Sequence, residues 1–283
     1  PSMAQTPLPQ LFHALGSEKS ISIASELDFY EHIGAIKRYQ EVAINREVAA
    51  HLLVKTGDSL MINLFEDIVF KAGIHSLNAY QNEALTVRAG IKGHPLSWMI
   101  LSSADNRSLG TISIPETGQL FRIISHPEQP KHYLLELDAG LLTYYEGGES
   151  PIPLSPQPFE SEQIEKIREL VANKNPGPQD HAVIDVMIVY TPAARIWANA
   201  NESGILNTVA VSMEIAQMVS ENSQLGVSFR LAHSREVDYQ ESTSPNADLR
   251  RLTATATSNP FGATYEGIAI PGFMNEVHEW RQT

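Results

Sequence analysis

The chemistry open to this chain is set by ten histidines, 33 aspartates and glutamates, and a complete lack of cysteine. The most suggestive cluster lies near the C-terminal end, where His278 and Glu279 are followed by Trp280, Arg281 and Gln282. Two imidazoles four residues apart on a helix share one face and can hold a zinc ion while an intervening glutamate activates water. Here Gln282 stands where the second histidine would fall, and a neutral amide is a poor zinc ligand. His278 and Glu279 are therefore a candidate degenerate metal site, set against the plainer reading of a solvated helix face.

Other groups carry weaker signals. His75, His94, His126 and His132 are scattered over a β-rich region with no ligand spacing, which suits turn and surface positions. The acidic pairs Glu66–Asp67 and Glu136–Asp138 fall near strand ends, where solvation is the expected role. No nucleophile elbow, glycine-rich phosphate loop or basic stripe is present. The absence of cysteine removes disulfides, thiolate metal sites and thiol nucleophiles. A formal net charge of -13 disfavours nucleic acid and anionic membranes as partners.

The elements that position these residues divide by their periodicity. From about 20 to 145, alternating runs predict half-buried strands, with Leu60, Ile62 and Leu64 on one face and Leu96, Trp98 and Ile100 on another. Turn chemistry in KTGD, KAG, IKGHP, ADNRS and PETG spaces the strands as in an antiparallel sandwich or meander. The stretch ELDFYEHIGAIKRYQ fits an early helix or a strand pair. Residues 1–146 are read as one β-rich domain.

Between 147 and 180 the composition turns to proline, as in GGESPIPLSPQPF and NKNPGPQ, around a short amphipathic pattern at Ile164, Ile167, Leu170 and Val171 after Ser161. Such a linker is open to proteolysis, and Lys174 marks a candidate processing region. After Asp180 the grammar becomes α/β. Residues 183–190 form an apolar run fit for a strand buried on both faces. A helix follows, with Ser203 as cap and Ile205, Val209, Met213 and Ala216 on one face; Gly226 closes the turn into a second strand, giving a parallel pair. Further helices are predicted at 248–252 and 273–281. The fold class expected is α+β overall, an all-β part followed by a partial α/β part at 181–283.

Three pieces in order, DVMIVYTPAAR at 185–195, SFRLAHSREVDYQES, and DLRRL followed by GFMNEVHEWRQT, resemble the opening of secreted bacterial zinc metalloproteases of the metzincin, reprolysin-like group. The β-rich half, with LMINLFEDIVFKAG and HYLLELD, is similar to the pro-region of such enzymes. The resemblance implies a zymogen: a propeptide domain that aids folding and enforces latency, a processing linker, and the first half of a catalytic domain. It also implies that this part of the catalytic domain is scaffold with no catalytic residue. In the full-length parent, zinc-activated water would hydrolyse peptide bonds, with the zinc motif beyond Thr283 and no zinc expected on this chain alone.

Partners implied are protein or peptide substrates of the parent, and a missing C-terminal polypeptide or dimer mate to cover the sheet edge. The location implied is secreted or periplasmic, with a signal peptide removed ahead of Ala4 and Gln5 and a cloning remnant at Pro1–Met3. The alternative expectation is a non-catalytic secreted binding protein with a vestigial zincin half.

Overall fold

A computed structural model describes residues 7–20, 26–30, 32–81, 83–142 and 182–281, and within them the fold is mixed α+β. The strands of the first part are β1 (Phe12–Ala14), β2 (Lys19–Ser20), β3 (Ile36–Ile44), β4 (Ser59–Phe65), β5 (Ile68–Ala79), β6 (Leu85–Ile91), β7 (Trp98–Ala104), β8 (Arg107–Ile114), β9 (Gln119–Ser125) and β10 (His132–Leu137). They form one sheet in the order β1-β3-β10-β9-β8-β7-β6-β5-β4, with β2 added against β3. From β4 to β10 each strand pairs with the next, so the meander expectation holds over that run.

The two-layered sandwich gives way to a nearly closed barrel. Every ladder along the path is antiparallel, so the first and last of its nine strands run in the same direction and can meet only in parallel. The closing contact is indeed a parallel bridge, Gln10 with Met61, in which Met61 N donates to Pro9 O at 2.8 Å and Leu11 N donates to Met61 O at 2.9 Å.

Side chains alternate between the two barrel faces. The inner face carries Leu60, Ile62, Leu64, Val87, Met99, Leu101, Ile112, Phe121, Ile123 and Leu134 in one buried cluster. The outer face of β3 and β7–β10 is buried too, beneath Leu27, Tyr30 and residues of the C-terminal part. Double coverage explains why β8 is almost wholly buried, Leu109 serving the outer cluster and Ile112 the inner one. Helix α1 (Arg46–Ala49) follows β3, its first turn capped by the Asn45 side chain, which accepts from Glu47 N and Val48 N.

Several local expectations change. Leu96 is not on a strand face with Trp98; it stands 66% exposed in the turn before β7, where Leu96 N donates to Glu116 at 2.7 Å. The KAG triplet is no turn but the middle of β5, and the reversal comes earlier, at Glu66 and Asp67. ELDFYEHIGAIKRYQ makes neither helix nor strand pair; a 3-10 turn at Ile33–Ala35 leads into β3. The linker helix expected near Ile164 lies outside the described residues, as does the boundary at 147–180.

The C-terminal part begins with β11 (Ala182–Tyr190), then α2 (Pro192–Asn201), α3 (Ile205–Asn222) and β12 (Val227–Glu236), with β11 and β12 parallel. Helices α4 (Pro245–Thr253) and α5 (Asn275–Trp280) follow, separated by the small hairpin of β13 (Thr264–Tyr265) and β14 (Ile268–Ala269). The single crossover helix of the sequence reading is two: Thr191 caps α2 by accepting from Ala194 N, with Pro192 at its first position. Ser203 is not the cap of α3. Gly204 holds that place, and the Ser203 hydroxyl instead accepts from Ser125 N of β9 at 2.8 Å.

The expected double burial of β11 fails along its length: its first four residues are exposed and the remaining five only half-buried. Val183 is 58% and Ile184 46% exposed, because β11 has one pairing partner, β12, among the described residues. No helix of the described residues is long and apolar enough to cross a membrane.

Candidate functional site: a polar socket between the barrel and helix α3

Helix α3 is buried on two sides and keeps a third, with Ser212, Ile215 and Val219, in solvent. One row, Ile205, Val209 and Met213, packs on Val186, Ile188, Phe229 and Leu231 of the parallel pair. The next row, Leu206, Ala210 and Glu214, faces the barrel, where Ala210 meets Ala84 and Ala104 and Val211 joins the outer barrel cluster. The two parts of the chain thus share buried clusters, with α3 common to both.

The centre of this contact is a carboxylate. Glu214 is fully buried, and its Oε1 accepts from Asn78 Nδ2 at 2.7 Å, Tyr80 Oη at 3.0 Å and Thr86 Oγ1 at 2.5 Å. Its Oε2 faces Arg88 Nε at 3.7 Å. Arg88 also clasps Glu221 about two helical turns further on, and its Nε donates to Ser76 Oγ at 3.1 Å. Thr86 and Arg88 reach the helix because they alternate with the inward Val87 and so point out of the barrel.

Burying a carboxylate costs several kcal/mol, offset when charge and hydrogen bonds are supplied together; here Oε1 receives three hydrogen bonds, while the buried Oε2 has only the nearby Arg88 charge and no hydrogen bond among the described residues. Burial, and then the Glu214 charge, push the Tyr80 phenol far above its ordinary value. The Arg88 hydrogen bond draws Glu221 below the usual carboxylate range.

The socket continues toward the helix N-terminus. Ser102 Oγ donates to Asn207 Oδ1 at 2.8 Å, Asn207 Nδ2 donates to Ser203 O at 3.0 Å, Arg107 Nη1 donates to Asn199 O at 3.1 Å, and Arg122 pairs with Glu202. Its chemistry is recognition: acceptors and a matched cation, with no nucleophile and base in mutual reach. The sequence reading missed it. Its available signals were Arg88 inside the mostly apolar LTVRAGI, and Glu214 among the apolar residues Val209, Met213 and Ala216 of the following helix.

The residues singled out from sequence do not converge. His278 is half-buried with its Nε2 lacking a hydrogen-bond partner among the described residues, and Glu279 beside it is exposed. Among the described residues no three His, Asp or Glu side chains gather so as to hold a metal ion. His75 is exposed on β5, His94 sits edge-on to Phe70, and His126 closes a turn by accepting from Glu128 N and Gln129 N. His132 is the exception, with a buried, unpartnered Nε2.

The two acidic pairs meet at one cation: Arg38 Nε donates to Glu136 at 2.6 Å and Nη1 to Asp67 at 2.9 Å. Asp138 caps the following 3-10 turn through Gly140 N. Glu66 lies in the β4–β5 reversal. Lys174 lies outside the described residues.

No family model matches this chain, and no curated protein matches it. Among solved structures it is similar to one described as "Structure of a chaperone-substrate complex", at 12% identity and a TM-score of 0.32, over 50% of this chain and 98% of that one. A likeness of that size carries no argument about fold or function.

Proposed function

We propose that this chain is the precursor region of a secreted, zinc-dependent metalloendopeptidase of the metzincin group. The barrel acts as a pro-domain that assists folding and keeps the enzyme latent, and residues from 181 onward begin the catalytic domain. The observation that supports this reading most is the burial of α3 on two sides, against its own parallel strands and against the barrel socket. A folding aid has to grip an early element of the domain it assists, and α3 is the crossover helix between the first two strands.

No step of peptide hydrolysis is assigned to residues of this chain, since the described residues gather no zinc site. The zinc and its general base belong, in this reading, to polypeptide outside it. The parent's substrates would be proteins or peptides, and its location secreted or periplasmic.

The test is intact mass of the protein made from its native gene, before and after incubation with zinc. A longer precursor that converts to a shorter species only with zinc is the expected result; a product unchanged by zinc and inert toward casein would overturn it. The second reading, a non-catalytic secreted binding protein with a vestigial zincin half, is favoured by the exposed Val183 and Ile184 on β11, which suit a partner or dimer mate. It predicts the inert product.

A further inference from the structure

Between the outer face of the barrel and helices α2 and α3 lies a groove of about 790 Å3. Its barrel wall follows from strand alternation. Trp98 shares the outer face with Ile100, and Leu120 stands opposite in sense to the inward Phe121, so both turn toward the helices. Trp197 of α2, Ile215 of α3 and Leu142, just past the 3-10 turn at Ala139–Leu141, complete the lining.

These walls are apolar yet open. Trp197 is 47% and Ile215 39% exposed, and Trp98, Leu120 and Leu142 are half-buried. The one acid and the one arginine of the lining, Glu202 and Arg122, are paired with each other, so the groove offers no free charge of either sign. Large apolar side chains gathered in an open groove mark a binding surface.

The occupant follows from where the chain goes. Leu142 is the last described residue before Ala182, so the polypeptide departs into 143–181 from the groove itself. Soon after comes SPIPLSPQPF at 150–159, a stretch with no charged residue. The chain from Leu142 to Pro151 can extend at most about 30 Å, enough to return to the walls that Leu142 helps to form. Proline suits those walls for two reasons. Pro151, Pro153, Pro156 and Pro158 carry no N–H, so an apolar surface leaves fewer donors unpaired, and their fixed φ lowers the entropy lost on docking. In the three-residue repeat that prolines favour, Pro153, Pro156 and Phe159 share one edge, the kind of edge that aromatic grooves receive. The later pattern at Ile164, Ile167 and Leu170 is farther along the chain and interleaved with Glu165, Lys166, Arg168 and Glu169.

We propose that residues 150–159 dock in this groove of their own chain, with Pro153, Pro156 and Phe159 against Trp98, Trp197 and Ile215. The test uses the full chain labelled with 5-fluorotryptophan, whose three fluorine NMR signals, from Trp98, Trp197 and Trp280, are assigned by Trp→Phe variants. Trp280 belongs to a separate cluster with Val237 and Val277 and serves as the internal control. Pro153→Ser, Pro156→Ser and Phe159→Ser together are expected to move the Trp98 and Trp197 signals and to raise their shift between H2O and D2O, with Trp280 unmoved. A synthetic peptide of residues 150–159, added to that variant, should return both signals at roughly millimolar concentration. Signals of Trp98 and Trp197 that ignore these substitutions, that respond instead to Ile164→Ser with Leu170→Ser, or that move on dilution as a second copy leaves, would each overturn the assignment.

Discussion

Arg88 of the barrel holds Glu221 of α3 in a two-pronged grip, Nη1 to Oε2 at 2.6 Å and Nη2 to Oε1 at 2.9 Å, although 133 residues separate them. The same guanidinium turns its Nε toward Glu214. One cation therefore serves two carboxylates of very different exposure: Glu221 has 46% of its side chain in solvent and Glu214 none.

That difference sets the first expected outcome. Glu214→Ala removes a fully buried acceptor from three donors, of which Thr86 is itself buried, and should destabilise by about 3–5 kcal/mol, whereas Glu221→Ala should cost about 1 kcal/mol because solvent already screens it. Urea unfolding of both variants checks this. Equal losses would mean that the buried socket is not what fastens α3.

His132 gives a pH dependence of defined sign. Its folded-state pKa lies below the ordinary 6.5, first through burial and then through Arg46. Below 6.5 the unfolded chain takes up a proton that the folded chain refuses, so stability falls with pH from there down to the folded-state value and the slope then vanishes. Replacing His132 by leucine should flatten that segment of a stability-against-pH curve.

At alkaline pH, Tyr39 and Tyr133 act in the opposite direction. Burial foremost, with Glu26 nearby, raises both phenols from 10.0 to about 12. Between those values the unfolded state has lost protons that the folded state keeps, so stability declines as pH rises through the window. Tyrosinate absorbance should place Tyr39 and Tyr133 among the late-titrating phenols, with Tyr80 later still, and Tyr39→Phe should remove one of the late group.

A packing test comes from Gly110 on β8. A methyl group there would stand 3.0 Å from both Ile123 Cδ1 and Leu101 Cδ1 and 3.3 Å from Ile100 O. Gly110→Ala is expected to cost about 1–3 kcal/mol by overfilling the barrel, measured as a lowered urea midpoint.

Much of this fold was legible from residue spacing. Alternation at Leu60–Leu64 marked β4, and Gly226 with its φ of 62° ended the turn before β12 as expected. Closure was not legible, because alternation reports which face is apolar and is silent on which edges meet. The Gln10–Met61 bridge uses backbone atoms, which leave no trace in side-chain pattern. Helix α2 was not foreseen, although Thr191 is a capping residue and Pro192 a favoured first helical residue. The site was harder still. His278 and Glu279 drew notice for their types, while Glu214 went unremarked because its full burial comes from the barrel wall, which the helix pattern does not report.

The shared position of α3 also bears on the order in which the molecule is made. Ribosomes deliver the N-terminal part first, so every barrel strand emerges before residue 205 exists. The carboxylates that Thr86, Asn78 and Arg88 meet in the finished fold, Glu214 and Glu221, are translated only with α3, so the polar contact between barrel and helix is among the last long-range contacts that the described chain can complete.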